Sequence, residues 1–329
     1  MNETYTAQTI YRKPDEGYAG PIFTWDVDNT YLSTNLHSLL GMIGTAVEFA
    51  VDKKPVPGAV WLLRELRRER SESGELQRGG ERRPIYFVSA SPAAMRPVLE
   101  RRLLLDEIEF DGITLRNWTG LLLSGRLGAI RTAFAYKLLA LLGNRLVFPA
   151  AASEVLFGDD LEQDPLIYAT YSRILEPSSA ATDICALVSC HGLRRSDARY
   201  LEMLAERARN ATAARRAVAR VIIRRDTTGG RCVPYECTEA HDSRIRAVDD
   251  MLQAALVLHA EHIVSLPGVH RVALGMLDEG VRESRLWESL ERSVQRGLCS
   301  DHTARSLAEQ WGSSIGTPIR RTPAEGFGA

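Results

Sequence analysis

The sequence predicts an α/β protein with a Rossmann-like parallel sheet and helices on both faces, plus a C-terminal all-helical domain. Apolar strand-like runs alternate with stretches of helical periodicity from residue 21 to about 226, which is typical of a parallel sheet with helical crossovers. From about 240 to 312 only helical periodicity is found. We therefore expect an arm at 1–20, an α/β domain at 21–226 and a helical domain with a loose tail at 227–329.

The elements follow in order from hydrophobic periodicity and breakers. Strands are predicted at about 21–27, 84–88, 112–116, 155–157 and 218–223, the last of these ending the sheet. Helices are predicted at about 31–52, 59–66, 92–103, 121–143 and 165–174, with a helical insertion at about 176–216. Gly58 suits a helix start, and Ser91 and Ser300 are predicted as N-caps.

Composition restricts the class of protein. The 329 residues carry 41 Lys and Arg against 42 Asp and Glu, a net charge of −1, which gives no overall attraction to nucleic acid or to an anionic membrane. The start of the sequence is polar, no apolar run reaches membrane-spanning length, and the five cysteines do not form a disulfide-like pattern. These features indicate a cytoplasmic protein without a transmembrane segment.

The stretch around which the chain is organised runs from Phe23 to Thr30. An apolar run leads directly into Asp26 and Asp28, with Thr30 two residues later. As a strand, it would place both carboxylates at its carboxyl end, which is the edge where open α/β sheets bind ligands. Two acids this close repel each other unless a cation lies between them or one stays protonated. The pattern predicts a metal-assisted site with one nucleophilic carboxylate and one general acid/base.

Two later strands end in groups that complete such a site. Ser89 follows the strand at 84–88, and Asp159 follows the strand at 155–157, with Asp164 five residues beyond Asp159. Lys137 lies between the two. A hydroxyl and an ammonium can bind phosphate oxygens, and carboxylates are the ligands that Mg²⁺ prefers. Phosphoryl transfer depends mainly on such positioning and charge neutralisation.

These residues resemble the four motifs of the haloacid dehalogenase-like phosphatases, in the right order. Within that superfamily, the sequence is similar to the phosphatidate phosphatase catalytic domains of the lipin and actin-patch type. The similarity extends over roughly residues 21–226. Besides the four motifs, it rests on the segments 56–58, 86–92, 115–118 and 164–168.

The resemblance implies a role for each motif residue. Asp26 would form an aspartyl-phosphate and bind Mg²⁺, and Asp28 would protonate the leaving group and then activate water. Thr30 would order that loop. Phosphate binding would fall to Ser89 and Lys137, with Thr30 among the phosphate-binding residues. Metal coordination would fall to Asp159, with Asp28, Asp160 and Asp164 as further candidate ligands and Asp164 holding Lys137 or a metal-bound water. The resemblance also implies a small residue where Asp160 stands, so this extra acid would tune the metal site, and the doublet of Asp159 and Asp160 leaves the metal register open.

Other interpretations of these residues remain open. Ser89 could cap a helix, Lys137 could be a solvated helix lysine, and the acids at 159–160 could form a turn. The predicted partner is a phosphorylated small molecule or lipid, with peripheral membrane contact allowed. Two rival functions are a phosphotransferase and a domain that binds phospholipid or phosphoprotein without turnover. A zinc site formed by Cys232, Cys237 and His241 is disfavoured, because no fourth ligand is evident nearby.

Overall fold

The computed structural model describes residues 5–32, 54–68, 82–123, 133–176, 195–226 and 242–315. Residues 33–52 of the predicted helix at 31–52, residues 177–194 of the predicted helical insertion, the zinc candidates and the tail beyond 315 therefore lie outside the described residues. The chain divides into two compact units, Met1–Asp250 and Met251–Ala329. No helix in the described ranges is long and apolar enough to cross a membrane.

The first unit is built on a seven-stranded sheet in the order β1-β4-β3-β2-β5-β6-β7. Its strands are β1 Thr6–Ile10, β2 Pro21–Asp26, β3 Ile85–Pro92, β4 Gly112–Arg116, β5 Ser153–Asp159, β6 Val218–Arg224 and β7 Ile245–Val248. All neighbours pair in parallel except β1, which is antiparallel to β4. This mainly parallel sheet confirms the predicted α/β class.

Helices connect the strands and pack on the sheet. Those of the first unit are α1 Ala59–Arg67, α2 Arg96–Leu105, α3 Trp118–Leu123, α4 Ala133–Arg145, α5 Asp164–Ile174 and α6 Arg195–Asn210. Because side chains alternate along a strand, β5 presents Leu156 to a core shared with α4, α5 and α6. On the opposite face Phe157 stacks on Trp25, with ring centroids 4.1 Å apart. This packing fixes the strand ends that carry the site.

Several boundaries follow from local chemistry. Gly58 adopts φ 84° immediately before α1, a left-handed conformation that glycine tolerates. Ser300 accepts a hydrogen bond from the amide of Thr303, as predicted for an N-cap. Ser91 does not cap a helix as predicted: β3 continues to Pro92, and α2 begins at Arg96 after a short 3₁₀ turn.

Two strands were not predicted. β1 lies in the segment expected to be an arm, and only its first residue, Thr6, is buried. β7 corrects the expectation that only helices follow residue 240, and it extends the sheet beyond the boundary predicted at 226. It is only four residues long and runs almost directly into a helix. Its period-2 signal is therefore too short to be separated from the helical pattern that follows.

The second unit contains four helices in its described part. They are α7 Met251–Ala260, α8 Leu266–Asp278, α9 Glu283–Gln295 and α10 Asp301–Ile315. Trp287 and Trp311 pack edge to face, with ring centroids 4.9 Å apart. The predicted helical character of the C-terminal region is confirmed for these residues.

Candidate active site

The candidate site lies where three adjacent parallel strands end. β2 is between β3 and β5 in the sheet, and these three strands carry Asp26, Ser89 and Asp159 at or near their carboxyl ends. Strand order therefore brings together residues that are far apart in sequence, as the sequence predicted for such an edge.

The loop after β2 is closed by its own backbone. The amides of Tyr31 and Leu32 donate to the carbonyl of Val27 at 3.0 and 2.8 Å, and the amide of Asn29 donates to the carbonyl of Leu32 at 2.7 Å. Asn29 has φ 58°, a left-handed conformation that asparagine tolerates better than most residues. The turn gives Asp28, two residues beyond Asp26, a fixed place beside the strand end.

Lys137 lies at the centre of a buried acidic cluster. Its Nζ is 2.8 Å from Asp26 Oδ1, 2.6 Å from Asp164 Oδ1 and 2.8 Å from Glu162 Oε2. The lysine and both aspartates are at most 1% exposed. The alternative of a solvated helix lysine is thereby excluded, and the ammonium links the end of β2 to the start of α5.

The helix that carries Lys137 is attached to the same strand ends. The hydroxyl of Tyr136 is 2.7 Å from the carbonyl oxygen of Ser89 and 2.9 Å from that of Thr114, within hydrogen-bonding distance of both. Thr30 donates to Asp26 Oδ2 at 3.4 Å. These contacts hold both the lysine and the carboxylate that it pairs with.

Asp26, Asp159 and Asp164 form a candidate metal centre. One carboxylate oxygen from each lies within 4.8 Å of the others. Asp159 uses Oδ1 to accept from the amides of Leu161 and Glu162 at 2.7 and 3.1 Å. Its Oδ2 is buried and accepts no hydrogen bond from the described residues. A buried carboxylate oxygen left in this way fits a hard cation such as Mg²⁺, which takes oxygen ligands.

Charge in the cluster favours the same conclusion. The ammonium of Lys137 contacts three carboxylates, those of Asp26, Asp164 and Glu162, and a fourth, that of Asp159, clusters with the first two. Burial, and to a lesser degree the neighbouring carboxylates, raises the pKa of Asp26 and of Asp159 well above the ordinary value of 3.8. The positive charge of Lys137 lowers the pKa of Glu162. A divalent cation would offset the excess of negative charge that raises the aspartate pKa values.

Gly158 allows Asp164 to approach the end of β5. A Cβ atom at this position would lie 2.5 Å from Asp164 Oδ2 and 2.8 Å from the Tyr168 ring. Such distances are far inside van der Waals contact. The glycine immediately before Asp159 is therefore required for the third carboxylate to join the cluster.

Asp28 has different partners from the three clustered aspartates. Its Oδ2 accepts hydrogen bonds from Ser89 Oγ at 3.2 Å and from Ser91 Oγ at 3.1 Å. The amide of Ser91 in turn donates to Ser89 Oγ at 3.0 Å. Ser89 thus stands beside the acid that was predicted to transfer protons, and Asp28 is not one of the three candidate ligands.

Asp160 is turned away from the cluster. Its Oδ1 accepts a hydrogen bond from the amide of Asp226 at 2.7 Å, and it is absent from the set of clustered carboxylates. Asp160 was predicted to be a candidate metal ligand because it adjoins Asp159. The structure brings together Asp26, Asp159, Asp164 and Lys137 but does not bring Asp160 to them.

Two residues that contact the site were not predicted from the sequence to be part of it. Glu162 contacts Lys137, and Ser91 contacts Asp28. Glu162 lies in the acidic run between Asp159 and Asp164, and this clustering was the signal that could have identified it. Ser91 was interpreted only as a helix cap, since a serine before a proline ordinarily has that role.

The fold and the site together define a class of protein, an α/β protein with a buried acidic centre and a lysine at the carboxyl edge of its sheet. Residues 23–178, which include every predicted site residue, match the family described as "Phosphatidate phosphatase APP1, catalytic domain". This match confirms the resemblance seen in the sequence and supports phosphatase activity. No curated protein and no solved structure matches the chain.

Proposed function

We propose that this protein is a magnesium-dependent phosphatase that hydrolyses a phosphomonoester through an aspartyl-phosphate on Asp26. The observation that carries the proposal is the convergence of Asp26, Asp159 and Asp164 in a buried acidic cluster in which Lys137 pairs with Asp26 and Asp164. The family match of residues 23–178 points to a phosphatidate-type lipid phosphate as the substrate class.

Asp26, Asp159 and Asp164 are the residues that would hold the cation. All three are buried, and the unused Oδ2 of Asp159 supplies a ligand atom without breaking a hydrogen bond to the described residues. When bound, Mg²⁺ supplies positive charge that stabilises the negative charge of the phosphoryl oxygens.

Asp26 has the place of the nucleophile at the end of β2. Its carboxylate oxygen forms a bond to phosphorus while the bond from phosphorus to the ester oxygen breaks. Lys137, 2.8 Å from Asp26 Oδ1, reduces the repulsion between this carboxylate and an anionic substrate. Asp28 donates a proton to the departing alcohol oxygen.

The second half of the reaction restores the nucleophile. Asp28, now a carboxylate, accepts a proton from water as the water oxygen bonds to phosphorus and the bond from phosphorus to Asp26 breaks. The hydroxyl of Ser89 donates to Asp28 Oδ2 at 3.2 Å, and it would turn from that carboxylate to donate to a phosphoryl oxygen of the bound substrate. The products are the alcohol and inorganic phosphate.

Two rival functions differ from this one in what is released. A phosphotransferase would pass the phosphoryl group to an acceptor other than water, and a binding domain would release nothing. The presence of Asp26 beside Lys137 and of Asp28 beside Ser89 favours turnover over binding alone. A cytoplasmic location remains a prediction from composition.

The test is a panel of phosphorylated metabolites together with phosphatidate in mixed micelles, assayed for free phosphate with and without Mg²⁺. We expect Mg²⁺-dependent release of phosphate by the wild type and none by Asp26→Asn, which keeps the size of the side chain but removes the nucleophilic oxygen anion. Phosphate appearing on another acceptor would favour the phosphotransferase. Hydrolysis that persists in Asp26→Asn or without any divalent cation would contradict the proposal.

A further inference from the structure

Arg224, the last residue of β6, reaches across the end of β5 to the loop that follows β2. Its Nη1 donates to the carbonyl oxygen of Asn29 at 2.8 Å, although β5 lies between β6 and β2 in the sheet. Its Nε is buried and has no hydrogen-bond partner among the described residues. Arg224 lies outside the segment 23–178 that matches the phosphatase family.

The group that Arg224 holds is adjacent to Asp28. Asn29 has φ 58°, so the loop turns sharply at this residue, and its carbonyl orientation is coupled to the backbone on which Asp28 sits. A guanidinium–carbonyl hydrogen bond is charge-assisted and directional. Loss of this bond would leave Asp28 attached to a loop with one restraint fewer.

Asp160 keeps the backbone of Arg224 in place. The amide of Asp160 donates to the carbonyl of Arg224 at 3.2 Å, and Asp160 Oδ1 accepts from the amide of Asp226 at 2.7 Å. The same buried residue thus contacts the backbone at Arg224 and two residues beyond it. These bonds explain why the Asp160 carboxylate points away from Asp26 and Asp164.

We propose that Arg224 and Asp160 are positioning residues for the proton transfer by Asp28, with Arg224 orienting the Asp28 loop and Asp160 holding Arg224. The proposal rests on the proposed phosphatase function. Asp160, which was predicted from the sequence to be a metal ligand, would instead help to position the acid/base residue Asp28.

The first test compares two aryl phosphates with Arg224→Met, which keeps a long side chain but removes every donor. Phenyl phosphate has the more basic leaving group and depends more on protonation than 4-nitrophenyl phosphate. We expect kcat/KM for phenyl phosphate to fall by roughly tenfold to hundredfold, with a clearly smaller loss for 4-nitrophenyl phosphate. Arg224→Lys should recover part of the loss.

Arg225→Met is the matched control for this comparison. Arg225 adjoins Arg224 but pairs with Asp249 at the end of β7, so the ratio of the two kcat/KM values should stay at the wild-type value. A variant that is only partly folded lowers both kcat/KM values equally. Equal losses for both substrates in Arg224→Met, or no loss in either, would overturn the inference.

The second test separates positioning from metal binding at Asp160. Asp160→Asn keeps the Oδ1 acceptor for the Asp226 amide, whereas Asp160→Ala removes it. We expect Asp160→Asn to retain activity and an unchanged Mg²⁺ activation curve, and Asp160→Ala to show the same leaving-group effect as Arg224→Met. A shift of the Mg²⁺ activation curve in Asp160→Asn would identify a metal ligand and refute the positioning role.

Different results would contradict the proposed function and the positioning role. If the wild type releases phosphate from neither aryl ester nor from any member of the panel, the proposed function is wrong. If the wild type is active but the ratio of kcat/KM values is the same in the wild type and Arg224→Met, the function stands and the positioning role is wrong.

Discussion

Asp159→Asn should stabilise the metal-free protein while removing its response to Mg²⁺. Asparagine can keep Oδ1 as the acceptor for the amides of Leu161 and Glu162, which lie 2.7 and 3.1 Å from that oxygen. Its amide nitrogen then replaces the buried Oδ2, which accepts no hydrogen bond from the described residues. The substitution also removes one negative charge from the cluster that Asp159 forms with Asp26 and Asp164.

The magnitude follows from the spacing of the acids. Two unit charges at the 4.8 Å limit of the cluster repel by about 3.5 kcal/mol at an effective dielectric constant of about 20. Protonation of the acids relieves part of this repulsion, so we expect a gain in the free energy of unfolding of about 1–3 kcal/mol. For a unit of this size, that is a rise in Tm of about 2–10 °C.

The pH dependence of stability has a defined sign. Burial raises the pKa of Asp159 in the folded state well above its ordinary value of 3.8. At pH values between 3.8 and this raised pKa, the folded state binds more protons than the unfolded state. The free energy of unfolding of the metal-free wild type therefore falls as pH rises above about 4. Asp26 and Asp164 act in the same direction, whereas the lowered pKa of Glu162 acts in the opposite direction.

The assay is thermal unfolding of wild type and Asp159→Asn across pH, in chelator and in excess Mg²⁺. The wild type should gain about 3 kcal/mol from Mg²⁺ at a hundredfold excess over Kd, and the gain should grow with pH. The variant should melt higher in chelator, with a flatter pH profile and no Mg²⁺ shift. A variant that melts below the wild type in chelator, or that keeps the full Mg²⁺ shift, would refute the reasoning. Asp160→Asn is the control and should keep the shift.

Two further substitutions probe the approach of Asp164 to the end of β5 and a buried ion pair in the same unit. Gly158→Ala should displace Asp164, since the new Cβ would lie 2.5 Å from its Oδ2. We expect kcat to fall by at least about tenfold and the free energy of unfolding to fall by about 1–3 kcal/mol. Wild-type kinetics in this variant would contradict the expectation. In the wild type, the buried Glu154 lies 3.4 Å from Arg145 Nη1. Arg145→Met leaves this carboxylate without its cation, so we expect the free energy of unfolding, measured by chemical denaturation, to fall by about 3–5 kcal/mol. Glu154→Gln should cost less, and a loss below about 1 kcal/mol in Arg145→Met would show that the pair is not needed.

The sequence predicted the centre of the sheet well and its edges poorly. The segments that form β2, β3 and β5 are mostly buried apolar runs. Such runs, bounded by residues that break helices and strands, are a strong local indication of a buried strand. β1 has one neighbour and is mostly half-buried, so nothing in its composition requires a strand. Edge strands are defined by pairing with a distant segment, which a local pattern does not contain.

The same distinction applies to the site. Asp26, Ser89 and Asp159, at or near the carboxyl ends of their strands, could be predicted because strand ends share one edge of a parallel sheet. The direction of Asp160 could not, since it is set by the amide of Asp226 at the end of another strand. The contact of Arg224 with Asn29 spans 195 positions and follows from strand order, which the sequence leaves open.

The central claim is that Asp26 carries the phosphoryl group, and peptide mapping after acid quench tests it most directly. Wild-type protein would be mixed with phosphatidate or an aryl phosphate and Mg²⁺, stopped in acid and digested. The account predicts a phosphoryl group on the peptide that contains Asp26, absent from Asp26→Asn and from samples prepared in chelator. Turnover with no such adduct, or an adduct on a peptide that lacks Asp26, would contradict the account.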